Sequence, residues 1–367
     1  MKFNLLLTNL TGGGAELGML RLAAALGRKG HDVRVLLLDD RIEHTVPAGV
    51  EVVPLARSGA RSTKGLLGKW LGARRLKKIF RTRGLDRDSL TISTLPFADE
   101  VAARAGLPNL WFRIANTLSA EIEQLRRSNP AKAERRLQRY RKLYDGKNLI
   151  AVSDGVAADL RDALGLRRAN IVRIYNGFDL EAIRKASLEP APLVPREAFV
   201  LHVGRFMPQK RHDLLLDAWK AAGIPMKLVL LTHPGAGLER LIFERNLQSQ
   251  VTIAGFQPNP YPWMRAAELL VLSSDREGMP NVLVEALACG TRVVSTDCPS
   301  GPREVLRGPL AAGLVQTGSA QALADAMRAA LAAPRPGADA VPGDFTEERM
   351  ASAYEALATV PPRAERA

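Results

Sequence analysis

The chain of 367 residues has two cysteines, Cys289 and Cys298, and neither stands in a metal-ligand spacing with any of its five histidines. A disulfide scaffold and a zinc-ribbon site are therefore excluded, and a reducing, cytoplasmic compartment is the default expectation. No apolar run reaches about 18 residues, so no transmembrane helix is expected. The opening MKFNLLLTNLTGGG meets a glycine loop where a signal peptide would have a small-residue cleavage site, and it reads as a first strand. The spaced G-x-G-x-x-G of dinucleotide binders is missing from that loop. Aromatic residues are 5% of the chain, with no aromatic-rich nucleic-acid module among them.

What is present is the length for two domains, each large enough to hold its own core. A hydrophobic share of 46% and a charged share of 25% are those of a soluble globular protein. The net charge of +14 is lopsided. Residues 1–190 hold 34 Lys and Arg against 20 Asp and Glu, while residues 191–367 hold 18 of each. The two halves face different partners.

The chain is organised around SSDREGMPNVLVEALACG, residues 273–290. A short apolar run, 268–272, precedes it and reads as a buried strand. Glu277 then stands in a loop before a helix, and Pro280 suits that helix's first position because its φ is preset and its missing N–H is not needed there. Val282, Leu283, Ala286 and Leu287 repeat on one face, and Gly290 ends the helix. The N–H groups of Asn281, Val282 and Leu283 are expected to point back at the loop, where the helix dipole favours an anion such as a phosphate. Glu285 lies inside the helix, beyond that anion. If all of Glu277 to Glu285 were helical the rise would be about 12 Å, longer than the ~5 to 9.5 Å between the carboxylates of a glycoside hydrolase. Each carboxylate more readily grips a different part of one elongated ligand, since a carboxylate accepts two O–H bonds from a vicinal diol.

The Glu-x7-Glu of Glu277 and Glu285, set in EGMPNVLVEALACG, resembles the signature of glycosyltransferase family four. The resemblance implies an α/β GT-B fold of two Rossmann-like doubly wound domains facing across a cleft. It implies a retaining, metal-independent, hexosyltransferase-like transfer from a nucleotide-diphosphate sugar. Glu277 would contact the donor sugar and phosphate region and Glu285 the ribose hydroxyls, with Gly278, Met279, Pro280, Asn281, Val282 and Leu283 lining the same donor site. No metal is called for: the one Asp-x-Asp, Asp86 to Asp88, reads as a helix end.

In chain order, Lys2 to Leu7, a glycine turn and a helix from Ala15 to Arg28 open a βαβ unit. The family's Gly-Gly-Ala-Glu loop near the donor phosphates and acceptor is matched by Gly13, Gly14, Ala15 and Glu16. Residues 57–87 are dense in Lys and Arg, interleaved with Leu66, Leu67, Trp70, Leu71, Leu76, Ile79 and Phe80. Such a segment either lies on an anionic membrane surface or packs its apolar side inward with its charges solvated. A second basic run, 126–147, has fewer apolar companions. The loop 95–99 after a strand, and the next strand's end, bring Asp99, Arg113 and Asn116 to where α/β sheets place ligands. Many family members carry a donor-contacting histidine here; this chain has none, and Asp99 is the candidate to fill that space. Residues 187–196, with three prolines, read as the linker.

In the second half, Arg205 and Lys210 flank a loop at a strand's C-terminal end, a fork and a point charge placed to neutralise two phosphates. The family uses this Gly-Arg-x4-Lys as its diphosphate grip, and uses Gly255-Phe256 beside the base. Expected domains are 1–187 for the acceptor, 188–345 for the nucleotide-sugar donor, and a C-terminal helix, 346–367, returning to the first domain. The catalytic set is Glu277, Arg205 and Lys210. The basic first half suits a lipid-linked glycan or lipopolysaccharide acceptor at the inner face of a membrane. A GT-B nucleotide-sugar epimerase or sugar phosphorylase is the alternative within enzymes, and a basic nucleic-acid-binding protein the alternative outside them.

Overall fold

The computed structural model describes residues 1–11, 13–55, 65–85, 89–337 and 339–358. Gly12, the first part of the basic segment, and the Asp86 to Asp88 motif lie outside the described residues. The chain divides into two compact units, Met1–Gly177 with the chain from Thr346 on, and Phe178–Phe345.

In the first unit the strands are β1 (Lys2–Leu7), β2 (Asp32–Leu37), β3 (Glu51–Pro54), β4 (Ser89–Thr94), β5 (Leu110–Ile114), β6 (Asn148–Ala151) and β7 (Asn170–Arg173). They form one parallel sheet in the order β3-β2-β1-β4-β5-β6-β7. Helices α1 (Gly14–Arg28), α2 (Leu66–Arg83), α3 (Pro96–Ala105), α4 (Leu118–Ser128), α5 (Pro130–Tyr144) and α6 (Asp154–Ala158) connect them. Parallel strands need such crossovers, and burial on both faces explains why Leu5, Leu6 and Leu7 of β1 form an unbroken apolar run. The core packs Phe3, Leu5 and Leu7 of β1 against Met19, Leu22 and Leu26 of α1, all at most 1% exposed. The edge strand β3 is missed by sequence reading, because Glu-Val-Val-Pro is short and ends in a proline that edge strands tolerate.

The second unit carries α7 (Leu180–Ala186), β8 (Phe199–Val203), α8 (His212–Ala222), β9 (Lys227–Leu231), α9 (Ala236–Glu244), β10 (Val251–Ile253), α10 (Tyr261–Ala266), β11 (Leu269–Leu272), α11 (Asn281–Ala288), β12 (Arg292–Thr296), α12 (Pro302–Val305), β13 (Leu314–Val315) and α13 (Ala320–Ala332). Its parallel sheet runs β10-β9-β8-β11-β12-β13. In both sheets strand order reverses beside the first strand, so the loops after β1 and β4, and after β8 and β11, flank a switch point where α/β sheets bind ligands.

The units divide at Gly177/Phe178, ten residues before the proline-rich stretch expected as the linker. The reason is that α7 packs on α10 and α11 and so belongs with the second unit. The last helix, α14 (Glu347–Leu357), packs on α1 and lends Met350, Ala351, Tyr354 and Leu357 to the first unit's core.

Candidate active site

Strand β8 is hydrogen-bonded to β11, so the loops that follow them are neighbours. The first loop ends in a 3-10 turn, Pro208–Lys210, and the second runs through Ser273 to Pro280. They are laced together by backbone and side chains: Asp275 N donates to Gln209 O at 2.9 Å, Gln209 Nε2 to Arg276 O at 2.8 Å, and Ser273 Oγ to Lys210 O at 2.8 Å. Arg211 adds ion pairs to Asp213 and Asp275, both at 2.9 Å. On this frame Lys210 Nζ donates to Glu277 Oε1 at 2.7 Å, and Ser274 Oγ donates to the same oxygen at 2.7 Å. Glu277 is 6% exposed, so its charge is held by these partners and not by bulk water. Arg205 stands exposed two residues after β8.

The chain then passes through the buried residues Gly278, Met279 and Pro280 into α11. Pro280 is the N-cap of this helix, with ψ at 84°, and not its first residue as expected. A non-helical ψ there forces tight turns on entry. Asn281 N donates to Met279 O and Leu283 N to Pro280 O, both at 3.0 Å, so two of the three N–H groups expected to point outward are engaged within the turn. Val282 is half-buried beside them, and Glu285 sits buried one turn into the helix. Gly290, in the left-handed region at φ 74°, follows the Cys289 C-cap, as the sequence signalled.

Gly301 explains the turn after β12. Its φ of 96° lies in glycine's region, and a Cβ there would collide with Pro280 Cδ and lie 3.0 Å from Gly278 O. The turn is thus a wall for the Gly278 to Pro280 segment.

Beneath the Arg205 to Lys210 loop lie two histidines that sequence reading missed. His202 and His212 pack edge to face with centroids 4.7 Å apart, and Phe206 meets His212 edge to face at 5.3 Å. His202 Nδ1 bonds Val271 O at 2.9 Å, while His202 Nε2 and both His212 nitrogens are buried without a hydrogen-bond partner. Burial first, then the charge of Lys210, holds His212 down at about 4; burial first, then His212, holds His202 well below its ordinary value. Both rings are neutral packing elements under the loop. The signal that would have found them is a histidine inside an apolar strand, Phe199-Val-Leu-His-Val. Beyond the loop, His233 stacks on exposed Phe256 at 5.6 Å, after β9 and β10.

In the first unit, Gly13 caps α1 and Gly14 is its first residue, with the Glu16 carboxylate folded back against Gly13. Asn116 lies in the loop after β5 as expected, its Oδ1 accepting from Thr117 N at 2.9 Å. Arg113 is in β5 itself, 3% exposed, donating to Asn176 Oδ1 at 2.6 Å. Asp99 requires correction. The expected loop 95–99 is the first turn of α3, and Asp99 is fully buried, accepting from Ser93 Oγ at 2.6 Å and from Tyr144 Oη at 2.7 Å. It is a core hydrogen-bond acceptor and does not stand open in place of a histidine. Proline at the first position of α3 reads in sequence as a loop residue but starts the helix. Leu95 before it sits at φ 75°, a strained value for a branched residue at the sheet's switch point.

Among the described residues no group of three or more His, Cys, Asp or Glu is arranged to hold a metal ion, and no helix is long and apolar enough to cross a membrane.

Comparison with known proteins agrees with this geometry. Residues 12–182 match the model of Glycosyltransferase Family 4, and residues 197–333 that of Glycosyl transferases group 1. The chain is 29% identical over 311 residues to an N-acetylgalactosamine-N,N'-diacetylbacillosaminyl-diphospho-undecaprenol 4-alpha-N-acetylgalactosaminyltransferase of Campylobacter jejuni, 83% of each protein. It is 31% identical over 180 residues to a lipopolysaccharide 1,6-galactosyltransferase of Escherichia coli K12, which is 46% of this chain and 48% of that one. Among solved structures it resembles Anabaena HepE in complex with UDP-glucose, with a TM-score of 0.72 at 22% identity over 98% of this chain and 100% of that one. It also resembles sucrose-phosphate synthase from Thermosynechococcus elongatus, with a TM-score of 0.70 at 22% identity over 98% and 96%. At these identities the structures speak for the fold. With two doubly wound sheets, and family models taking up most of both units, the chain belongs to the family-four glycosyltransferases of GT-B fold.

Proposed function

We propose that this glycosyltransferase moves a sugar from a nucleotide-diphosphate donor to a lipid-linked or lipopolysaccharide glycan, with retention at the anomeric carbon. The observation that carries the donor side is the Lys210–Glu277 pair at the β8/β11 switch point, with Arg205 exposed in the same loop. Arg205 and Lys210 meet the diphosphate, where their charge counts most as negative charge grows on the leaving oxygen. Glu277 both holds Lys210 and orients the sugar, and Glu285 in α11 anchors the ribose. In the step itself the bond from the anomeric carbon to the phosphate oxygen breaks, its electron pair leaving with the diphosphate. The acceptor hydroxyl oxygen bonds the anomeric carbon on the same face, and its proton passes to the departing phosphate. The cationic work is done by side chains, so the scheme includes no metal.

The acceptor class is supported by the relatives, one named for a diphospho-undecaprenol glycan and one for lipopolysaccharide. It is supported also by the charge surplus confined to residues 1–190. On this reading the enzyme works at the cytoplasmic face of a membrane as a peripheral protein.

A titration with a panel of nucleoside diphosphates, read by thermal stability, tests the donor site. One nucleotide is expected to raise the melting temperature selectively, and Arg205→Ala to abolish the rise. If no nucleotide raises it, the donor assignment fails. Isomerisation or strong hydrolysis of a nucleotide sugar without any acceptor would favour an epimerase or phosphorylase instead.

A further inference from the structure

The helix α2 has an unusual division of labour. Its sequence, LLGKWLGARRLKKIFRTR, holds seven cations and no carboxylate. Gly68, Ala73, Leu76 and Phe80 are buried on the side that meets α3. The opposite face is apolar for its first two turns and cationic for the next three. Leu66, Leu67, Trp70 and Leu71 are 74%, 67%, 45% and 37% exposed, so the apolar side chains that sequence reading joins into one stripe are split between core and surface. Arg74, Arg75, Lys77, Lys78 and Arg81 continue that outer face, with the Arg74 guanidinium 3.8 Å over the Trp70 ring.

The neighbouring carboxylates are already engaged. Glu100 of α3 takes both Lys69 of α2 and Arg139 of α5, which ties the two basic helices to either side of α3. Glu51 takes Arg34 and Arg83, and Glu121 takes Arg136. Among the described residues, Arg75, Lys77, Lys78 and Arg81 of α2, with Lys132, Arg135 and Lys142 of α5, are exposed and in no ion pair. A second copy of this surface is repelled by like charge, and a nucleic acid would take the cations while leaving four large apolar side chains in water. An anionic bilayer satisfies both: acyl chains accept Leu and Trp, and headgroup phosphates accept Lys and Arg.

We propose that α2 is a membrane-docking helix, whose first two turns enter the headgroup and acyl boundary of an anionic bilayer while its later turns, with α5, hold headgroup phosphates. The proposal deepens the reading of a membrane-borne acceptor and rests on it for its purpose, but its test needs neither donor nor acceptor.

The full chain is mixed with vesicles of phosphatidylglycerol and phosphatidylethanolamine, and separately with phosphatidylcholine alone, and binding is followed by sedimentation and by tryptophan emission. Trp111, Trp219 and Trp263 are at most 3% exposed, so a blue shift on binding reports Trp70. Binding is expected to the anionic vesicles alone, with a blue shift. The double variant Leu67→Ser with Trp70→Ser, and the double variant Arg74→Glu with Lys78→Glu, are each expected to weaken it by about tenfold or more. Trp70→Phe should keep the binding and lose the shift. Absence of vesicle binding, or binding without a blue shift that survives Leu67→Ser with Trp70→Ser, overturns the proposal. So does a dimer in solution that this last variant dissolves. The nucleotide thermal shift, measured on the same preparations, separates the two readings. If it is absent while vesicle docking holds, the donor site fails and the docking helix stands.

Discussion

Lys210 Nζ lies 2.7 Å from Glu277 Oε1 although 67 residues separate them in the chain. Lys210→Ala removes the cation proposed to meet the diphosphate and also takes this partner from a buried carboxylate. Turnover is expected to fall by about 10²–10³-fold, and stability by about 1 to 3 kcal/mol. Glu277→Gln, which keeps an oxygen for Ser274, should cost less stability and comparable turnover. Steady-state kinetics with denaturation curves checks both, and wild-type turnover in Lys210→Ala would refute the role.

Gly301→Ala is expected to destabilise by about 1 to 3 kcal/mol, because it combines a left-handed φ with a collision against Pro280. The displaced Gly278 to Pro280 wall should raise the donor KM more than nearby surface substitutions do. A donor KM equal to the wild type's would separate this turn from the site.

The buried histidines tie stability to acid. As pH falls below about 6.5 the unfolded chain takes up protons on His212, while the folded chain refuses them until about 4. Stability from this group is full above the unfolded value and falls by about 3 kcal/mol as pH drops between the two. Asp213 opposes the shift and Lys210 reinforces it. His212→Phe should therefore flatten the acid limb of a denaturation series run from neutral pH downward; an unchanged limb would mean that the ring is solvated.

Asp99 acts in the other direction. Burial raises its carboxyl to about 7, against the lowering effect of the bonds from Ser93 and Tyr144. Its contribution is fully present below the unfolded value of about 4 and is lost as pH rises through about 7, up to about 4 kcal/mol in all. Asp99→Asn should remove that loss, so that the variant gains on the wild type as pH rises from about 4 to about 7. Equal pH profiles for the two would show that Asp99 stays charged in the fold.

The loop around Glu277 and the helix after it can be read in one dimension. Glu277, Pro280, Glu285 and Gly290 fall within fourteen residues, and each carries a local preference, so their order as loop, cap, helix and stop is legible from spacing. Pro280 was displaced by one position because first helical residue and N-cap differ only in ψ, which tertiary packing against Gly301 decides. Asp99 misled for a similar reason. Leu95-Pro96 looks like a loop, and nothing local says that Ser93 and Tyr144 will close around the carboxylate.

Two βα-repeating units, the loops that end their strands, the charge surplus of the first half and the family signature around Glu277 are all legible in the amino-acid order. These follow from hydrophobic period, turn residues and side-chain chemistry, all of which act over a few neighbouring positions. That Lys210 meets Glu277, that His202 and His212 lie neutral beneath their loop, and that the first turns of α2 face outward come from packing in three dimensions. Those outcomes depend on which strands are neighbours and which helix covers which face, and such pairings are set by burial across the whole unit, not by any short stretch of chain.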